Sequence, residues 1–232
     1  MGEFAIGQGV PRFEDPRLIT GRGSYLDDVN LPRMAFAHVL RSPFAHARIR
    51  SIDTRAARQS PGVLAVLTGA DWEASGWGDL PVPSGLKRRD GSDMYRPSYP
   101  ALVKDRVRWV GDYVAFIVAE TVAQAKDASE LIEVDYEPLE AVVSTADADK
   151  ADAPAVWDDC PDTVCFSQFM GDKEATEKAF TKAHHVAKCR LIINRVTAAT
   201  MEPRGSIGDY NSADDHYTLH TGLQRAFGYR AQ

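Results

Sequence analysis

The side chains best placed for chemistry lie in the stretch 200–232. Met201-Glu202-Pro203-Arg204-Gly205 leads into two alternating runs, Ser206–Tyr210 and His216–Thr221, separated by the turn-rich Asn211-Ser212-Ala213-Asp214-Asp215. This is the pattern of a β-hairpin. Gly222 and Leu223 then bring the chain to Gln224, just before Arg225-Ala226-Phe227-Gly228-Tyr229-Arg230 opens a further element. A neutral amide delivered there can donate a hydrogen bond without adding a charge; from the residues alone the plainer reading of Gln224 is a buried amide tied to nearby backbone. Glu202 is the neighbouring acid. Pro203 fixes a bend beside it, and its carboxylate is expected to satisfy backbone donors or Arg204 rather than to act as a catalytic acid. A strand that hands a single amide to a new element reads as part of a site whose other walls lie outside this sequence.

Other reactive residue types lack partners at useful spacing. His184 and His185 adjoin on a run that reads as a strand, so they point to opposite faces and do not easily share a metal. His46 has no cysteine, serine or second histidine at ligand spacing, and a structural hydrogen bond is its expected role. Asp27-Asp28 has no further carboxylates at calcium-loop spacing and reads as a solvated turn. Gly21-Arg22-Gly23 begins like a dinucleotide loop, but Leu26 stands where the third glycine belongs and no strand precedes it, so a turn is expected. Cys160, Cys165 and Cys189 form no C-x-x-C pair, which argues against a disulfide framework or a zinc or iron-sulfur site made by this chain alone. No G-x-S-x-G, H-E-x-x-H or phosphate loop is present, which disfavours a hydrolase.

The elements that must position these residues follow from composition and periodicity. A chain of 232 residues with 44% hydrophobic residues can bury one large core or two small ones. A net charge of −6 leaves no general basic surface for nucleic acid. No apolar run approaches the roughly 20 residues that span a bilayer, and residues 1–8 lack a signal-peptide pattern, so a cytoplasmic location without membrane or nucleic-acid partners is expected.

Residues 1–19 read as an arm. Strands are expected over Met34–Leu40, Arg48–Ile52, Val63–Leu67 as a buried run, Val107–Val110, Tyr113–Ala119 and Ile132–Tyr136. Short helices follow Asp53 or Thr54 and Thr68 or Asp71, and Thr121–Leu131 reads as a helix with Ala125, Ala128 and Leu131 on one face. The long Gly76–Pro100 loop carries Lys87-Arg88-Arg89, either a partner contact or a solvated tip. A boundary falls over 146–165; beyond it a strand at Phe166–Met170, helix at Lys173–Ala183 and long strand at His184–Val196 are expected. The strand, helix, strand order indicates an α+β protein rather than a bundle or sandwich.

Several fingerprints recur in fixed order: Gly21-Arg22-Gly23-Ser24-Tyr25 with Asp27-Asp28, Arg41-Ser42-Pro43 with His46-Ala47, Pro61-Gly62-Val63, Val110-Gly111 with Val118-Ala119-Glu120, Val134-Asp135-Tyr136-Glu137-Pro138-Leu139, and Met201-Glu202-Pro203-Arg204-Gly205 with Gln224. Together, over nearly the whole chain, they resemble the large, molybdenum-binding subunit of the xanthine dehydrogenase and aldehyde oxidase family, which includes molybdenum carbon monoxide dehydrogenase. The resemblance implies an α/β-hammerhead domain over 20–145, a linker over 146–165 and the incomplete start of a molybdopterin-binding domain over 166–232. It implies a molybdenum-molybdopterin cofactor in its cytosine dinucleotide form, beside which Gln224 would donate a hydrogen bond to an oxygen ligand of the metal. It also implies iron-sulfur and FAD partner subunits, the remainder of the molybdopterin-binding subunit, and a small-molecule substrate, an aldehyde or N-heterocycle. The family's glycine- and phenylalanine-rich cofactor loop and its catalytic glutamate are not found in these residues, so no catalytic base is assigned here. A non-catalytic assembly module from a truncated or split gene is the other expectation, and an incomplete second domain is expected to leave open strand edges.

Overall fold

The structure, a computed structural model, describes Gly9 and residues 11–82, 85–160, 162–194, 196–224 and 226–230. In chain order the elements are helix α1 (Asp15–Leu18), strands β1 (Phe36–Arg41) and β2 (Ala47–Asp53), helix α2 (Arg55–Arg58), strand β3 (Val63–Thr68), helix α3 (Gly69–Ser75), strands β4 (Arg106–Val107) and β5 (Tyr113–Ala119), helix α4 (Val122–Glu130), strand β6 (Glu133–Pro138), helix α5 (Lys173–Lys182), strands β7 (Ser206–Asn211) and β8 (His216–Thr221), and helix α6 (Ala226–Arg230). The mixture is the α+β class that the sequence indicates. The chain divides into two units, one of residues 34–187 and one of residues 1–33 with 188–232.

Two three-stranded antiparallel sheets build the 34–187 unit, with β5 between β1 and β3 in one and β2 between β4 and β6 in the other. Run after run of β-branched and aromatic residues makes β5 the natural centre. Its residues Ala115, Ile117 and Ala119 pack with Ala57, Val66 and the Ala125 and Ala128 face of α4, a core of small side chains that lets the helix come close. Thr121 starts α4 by accepting the Gln124 N–H on its hydroxyl at 3.2 Å. A second core joins Ala47, Val103, Val107 and Val114, with Phe44 and Tyr136 rings 5.0 Å apart at its edge.

The fingerprints meet in pairs. Ser42 N–H donates to the Asp112 carbonyl and Gly111 N–H to the Ser42 carbonyl, both at 2.8 Å, while the Arg41 guanidinium covers the Tyr113 ring at 4.4 Å. Glu120 N–H donates to the Gly62 carbonyl at 2.9 Å. Leu139 N–H donates to the His46 carbonyl at 2.9 Å, and His46 Nδ1 lies 2.8 Å from the Glu140 carbonyl, so that nitrogen carries the proton and His46 has the structural bond expected of it.

Several expectations need correction. The Val63–Leu67 run is not wholly buried: β3 is an edge strand covered on one face, and Leu64 is 58% exposed. The strand expected over 107–110 stops at Val107, because the buried Asp112 carboxylate takes the Arg108 N–H at 3.0 Å and removes it from the ladder. On α4 the buried positions are Ala125, Ala128 and Ser129, continued by Ile132, an i, i+3, i+4, i+7 series that turns Leu131 outward. Neither Phe166–Met170 nor His184–Val196 forms a strand among the described residues. Alternation alone makes no ladder: among the described residues 166–170 makes a single backbone bond, from Ser167 N–H to the Lys87 carbonyl, and both stretches stay irregular, with Phe169, Leu191, Ile192 and Ile193 exposed.

The Lys87-Arg88-Arg89 run is not an unpaired tip: each of its cations has a carboxylate partner. Lys87 pairs with Asp93 at 2.7 Å, Arg88 with Asp162, and Arg89 with Asp149 at 3.3 Å. Arg106 forks onto both oxygens of Asp158 at 3.0 and 3.2 Å, and the Tyr95 hydroxyl donates to Asp159 at 2.6 Å. Backbone bonds from Tyr95 N–H to Cys165 and from Ser167 N–H to Lys87 complete a strap in which 149–167 lies along 87–106. Limited trypsin digestion of the 232-residue chain should therefore cut first at exposed Lys188 and Arg190, leaving the strap uncut. Early cleavage at Lys150 instead would contradict this account.

Candidate functional site

The hairpin forms as its residues dictate. Ser206 pairs with Thr221 and Tyr210 with Tyr217, whose rings stack 4.5 Å apart. The turn is held by Asn211, whose amide donates to Asp214 at 2.8 Å and whose carbonyl oxygen accepts the Ala213 N–H at 3.0 Å. At the other end Thr221 donates its hydroxyl to the Gly205 carbonyl at 3.2 Å, closing the base of the hairpin. From there Gly222 and Leu223 carry the chain out to Gln224, which is exposed and, among the described residues, makes no hydrogen bond. Arg225, where the next element was expected to begin, lies outside the described residues; α6 starts at Ala226.

Beside the hairpin base, Glu202 behaves as its neighbours in sequence suggest. Its Oε1 accepts the Leu26 N–H at 2.7 Å, and Thr200 donates to its backbone carbonyl at 2.8 Å. Leu26, Glu202, Gly205, Thr221 and Leu223 line a cavity of about 60 Å³. Among the described residues, no three His, Cys, Asp or Glu side chains are grouped to hold a metal ion.

The remaining candidates resolve simply. Gly21, at φ +70, turns the chain after α1, and the next element is a three-residue 3-10 turn at Leu26–Asp28 rather than a phosphate-binding helix. Asp28 accepts the Tyr25 N–H at 2.8 Å, so that pair of aspartates closes a turn. The three cysteines are free thiols, Cys160 buried and Cys189 exposed.

A larger cleft, about 570 Å³, opens in the 34–187 unit among Trp72, Tyr95, Arg106, Arg108 and Trp157. Burial pulls the Arg108 guanidinium below its usual range as it lies 5.1 Å over the Trp157 ring. Burial, with the Asp159 bond, pushes the Tyr95 phenol up to about 12. Sequence reading missed this cleft because its wall at 157–159 belongs to the strap; the readable signal was the row of aspartates at 149, 158, 159 and 162, too many for a neutral linker beside so basic a loop.

Residues 156–232 match the family described as molybdopterin cofactor-binding domain. The chain is 38% identical over 224 residues to the nicotine 6-hydroxylase large subunit of Paenarthrobacter nicotinovorans, covering 94% of this chain and 26% of that one. It is 36% identical over 220 residues to the carbon monoxide dehydrogenase large chain of Afipia carboxidovorans, covering 90% and 26%. The solved structure of quinoline 2-oxidoreductase from Pseudomonas putida 86 superposes with a TM-score of 0.78 at 35% identity, covering 94% of this chain and 27% of that one. The chain thus spans about a quarter of the length of these relatives. Residues 20–140, more than half of the chain, match the family described as aldehyde oxidase and xanthine dehydrogenase, a/b hammerhead domain, and the chain belongs to that family.

Proposed function

We propose that this chain is the N-terminal part of the molybdenum-binding subunit of a molybdenum hydroxylase that oxidises N-heterocycles or aldehydes. Its hammerhead domain would occupy 20–145 and the start of its cofactor-binding domain 166–232, with 146–165 between them. The observation that carries the reading is one chain matching the hammerhead and cofactor-binding families in that order, with an unpaired amide at Gln224, among the described residues, on the exit from the hairpin. The nicotine and quinoline oxidising enzymes among its relatives favour an N-heterocycle.

The Gln224 amide would suit such a cofactor: it would donate a hydrogen bond to it and bring no competing anionic ligand. The molybdopterin group, in its cytosine dinucleotide form, supplies the two-electron redox chemistry when bound. Gln224 would orient it, Gly222 and Leu223 would set where that amide stands, and a base would come from the rest of the subunit. Electrons would leave to iron-sulfur clusters and FAD on partner subunits, in the cytoplasm. No described helix is long and apolar enough to cross a membrane.

The test is to purify the full-length subunit with its partner subunits and measure metal. About one molybdenum per large subunit is expected, and Gln224→Ala should keep the metal while lowering kcat by about tenfold, roughly the loss of one hydrogen bond to a charged centre. A complex that assembles without molybdenum would replace this reading with that of an assembly module.

A further inference from the structure

Glu202 makes contacts that a bend-stabilising carboxylate does not need. Its Oε1 reaches across 176 positions of sequence to the Leu26 N–H. Its Oε2 sits so close to Gly222 that a Cβ there would lie 3.3 Å from it. The carboxylate is half-buried and, among the described residues, no lysine or arginine pairs with it; Arg204, two positions on, does not take it. An anion partly removed from water without a cation must be held by donors of another kind, and here the donor is the backbone of a distant segment. The segments it joins also meet each other: a Cβ on Gly205 would lie 2.7 Å from Leu26 Cδ2, and the Thr221 hydroxyl donates to the Gly205 carbonyl.

Gly222 is the second residue before Gln224, so what holds Gly222 limits where the amide can stand. We infer that Glu202 is a positioning residue for Gln224: its carboxylate, wedged between the Leu26 amide and Gly222, sets the course of residues 222–224. The inference rests on the proposed role of Gln224 beside the cofactor. The job requires an acceptor of the right length rather than a proton donor, which separates it from catalysis and makes a neutral isostere a partial substitute. Misplacing a group by a fraction of an ångström near a reacting centre lowers turnover more than binding.

The experiment uses the complete enzyme with its partner subunits, as wild type, Glu202→Ala, Glu202→Gln and Gly222→Ala. Molybdenum content, kcat and KM with an N-heterocycle probe such as quinoline, and hydrogen exchange at the Leu26 amide are measured on each. In Glu202→Ala the Leu26 amide should exchange at least tenfold faster and kcat should fall about tenfold, with metal retained and KM within about threefold of wild type. Glu202→Gln should recover kcat to within about threefold, because its amide oxygen still accepts the Leu26 N–H. If the alanine variant fails to fold, Gly222→Ala decides: its added methyl presses on Oε2 and should lower kcat about threefold with metal retained. Wild-type kcat in Glu202→Ala or in a folded Gly222→Ala overturns the inference alone. A wild-type enzyme without molybdenum overturns instead the role of Gln224 on which it rests.

Discussion

Replacing Ile117 by alanine is expected to destabilise the 34–187 unit by about 2–5 kcal/mol. Ile117 is fully buried at the middle of β5, and its neighbours in that core are mostly alanines: Ala57, Ala115, Ala119, Ala125 and Ala128. Small neighbours cannot reach across a vacated site, so the cavity stays open and the cost lies toward the upper part of that range. Leu64→Ala, at a more exposed position on the edge strand of the same sheet, should cost roughly 0.5 kcal/mol. Urea unfolding followed by circular dichroism measures both. Equal midpoints for the two variants would show that the core does not lie where β5 places it.

Gly69→Ala should be nearly as damaging, for the opposite reason. Gly69 opens α3 immediately after its Thr68 cap, where a Cβ would lie 2.4 Å from the Val103 carbonyl carbon and oxygen and 2.5 Å from Lys104 N. These are backbone atoms of a segment that also supplies Val103 to the second core, so neither side yields easily. A loss of about 3 kcal/mol is expected, the upper end for an overpacked site. Because α3 carries Trp72, whose indole N–H donates to the Gly78 carbonyl at 2.8 Å and whose ring meets Trp77 edge-on at 4.8 Å, its displacement should also shift tryptophan emission. Unchanged stability and emission would mean that α3 and Val103 are not in contact. Gly62→Ala offers a contrast, since there the atoms nearest the intruding methyl belong to the flexible Gln124 side chain, so the positive φ of +77 carries more of the cost.

How much the sequence disclosed depends on the range of the forces involved. Tyr113–Ala119 was legible to the residue because its apolar β-branched run is a local property, and so was the helix that follows Thr121, though not that Thr121 caps it, nor which of Thr68 and Asp71 precedes α3. The hairpin was legible for the same reason. The fingerprints were visible singly, but that Arg41-Ser42-Pro43 and Gly111-Asp112 form one hydrogen-bonded knot depends on pairings some 70 residues apart, which periodicity does not encode. The strands expected at 166–170 and 184–196, and not formed, mark the same limit from the other side. Their alternation satisfies every local rule, and what they lack is a partner strand, which no local rule supplies. Glu202 shows a middle case: its bend and its need for backbone donors were readable, but not that the donor would be Leu26.

The pairing order of the sheets bears on how the protein is made. Strands β1 and β3 both pair with β5, and β2 with β4 and β6, so Phe36 waits for Ala119 and Ala47 for Pro138. While a ribosome is still translating the long segment after α3, the earlier strands have left it with nowhere to dock, and the nascent chain must carry Val39, Ile49 and Val66 uncovered. Yield in a heterologous host should accordingly respond to holdase chaperones and to slower elongation far more than to codon choice in the first hundred positions.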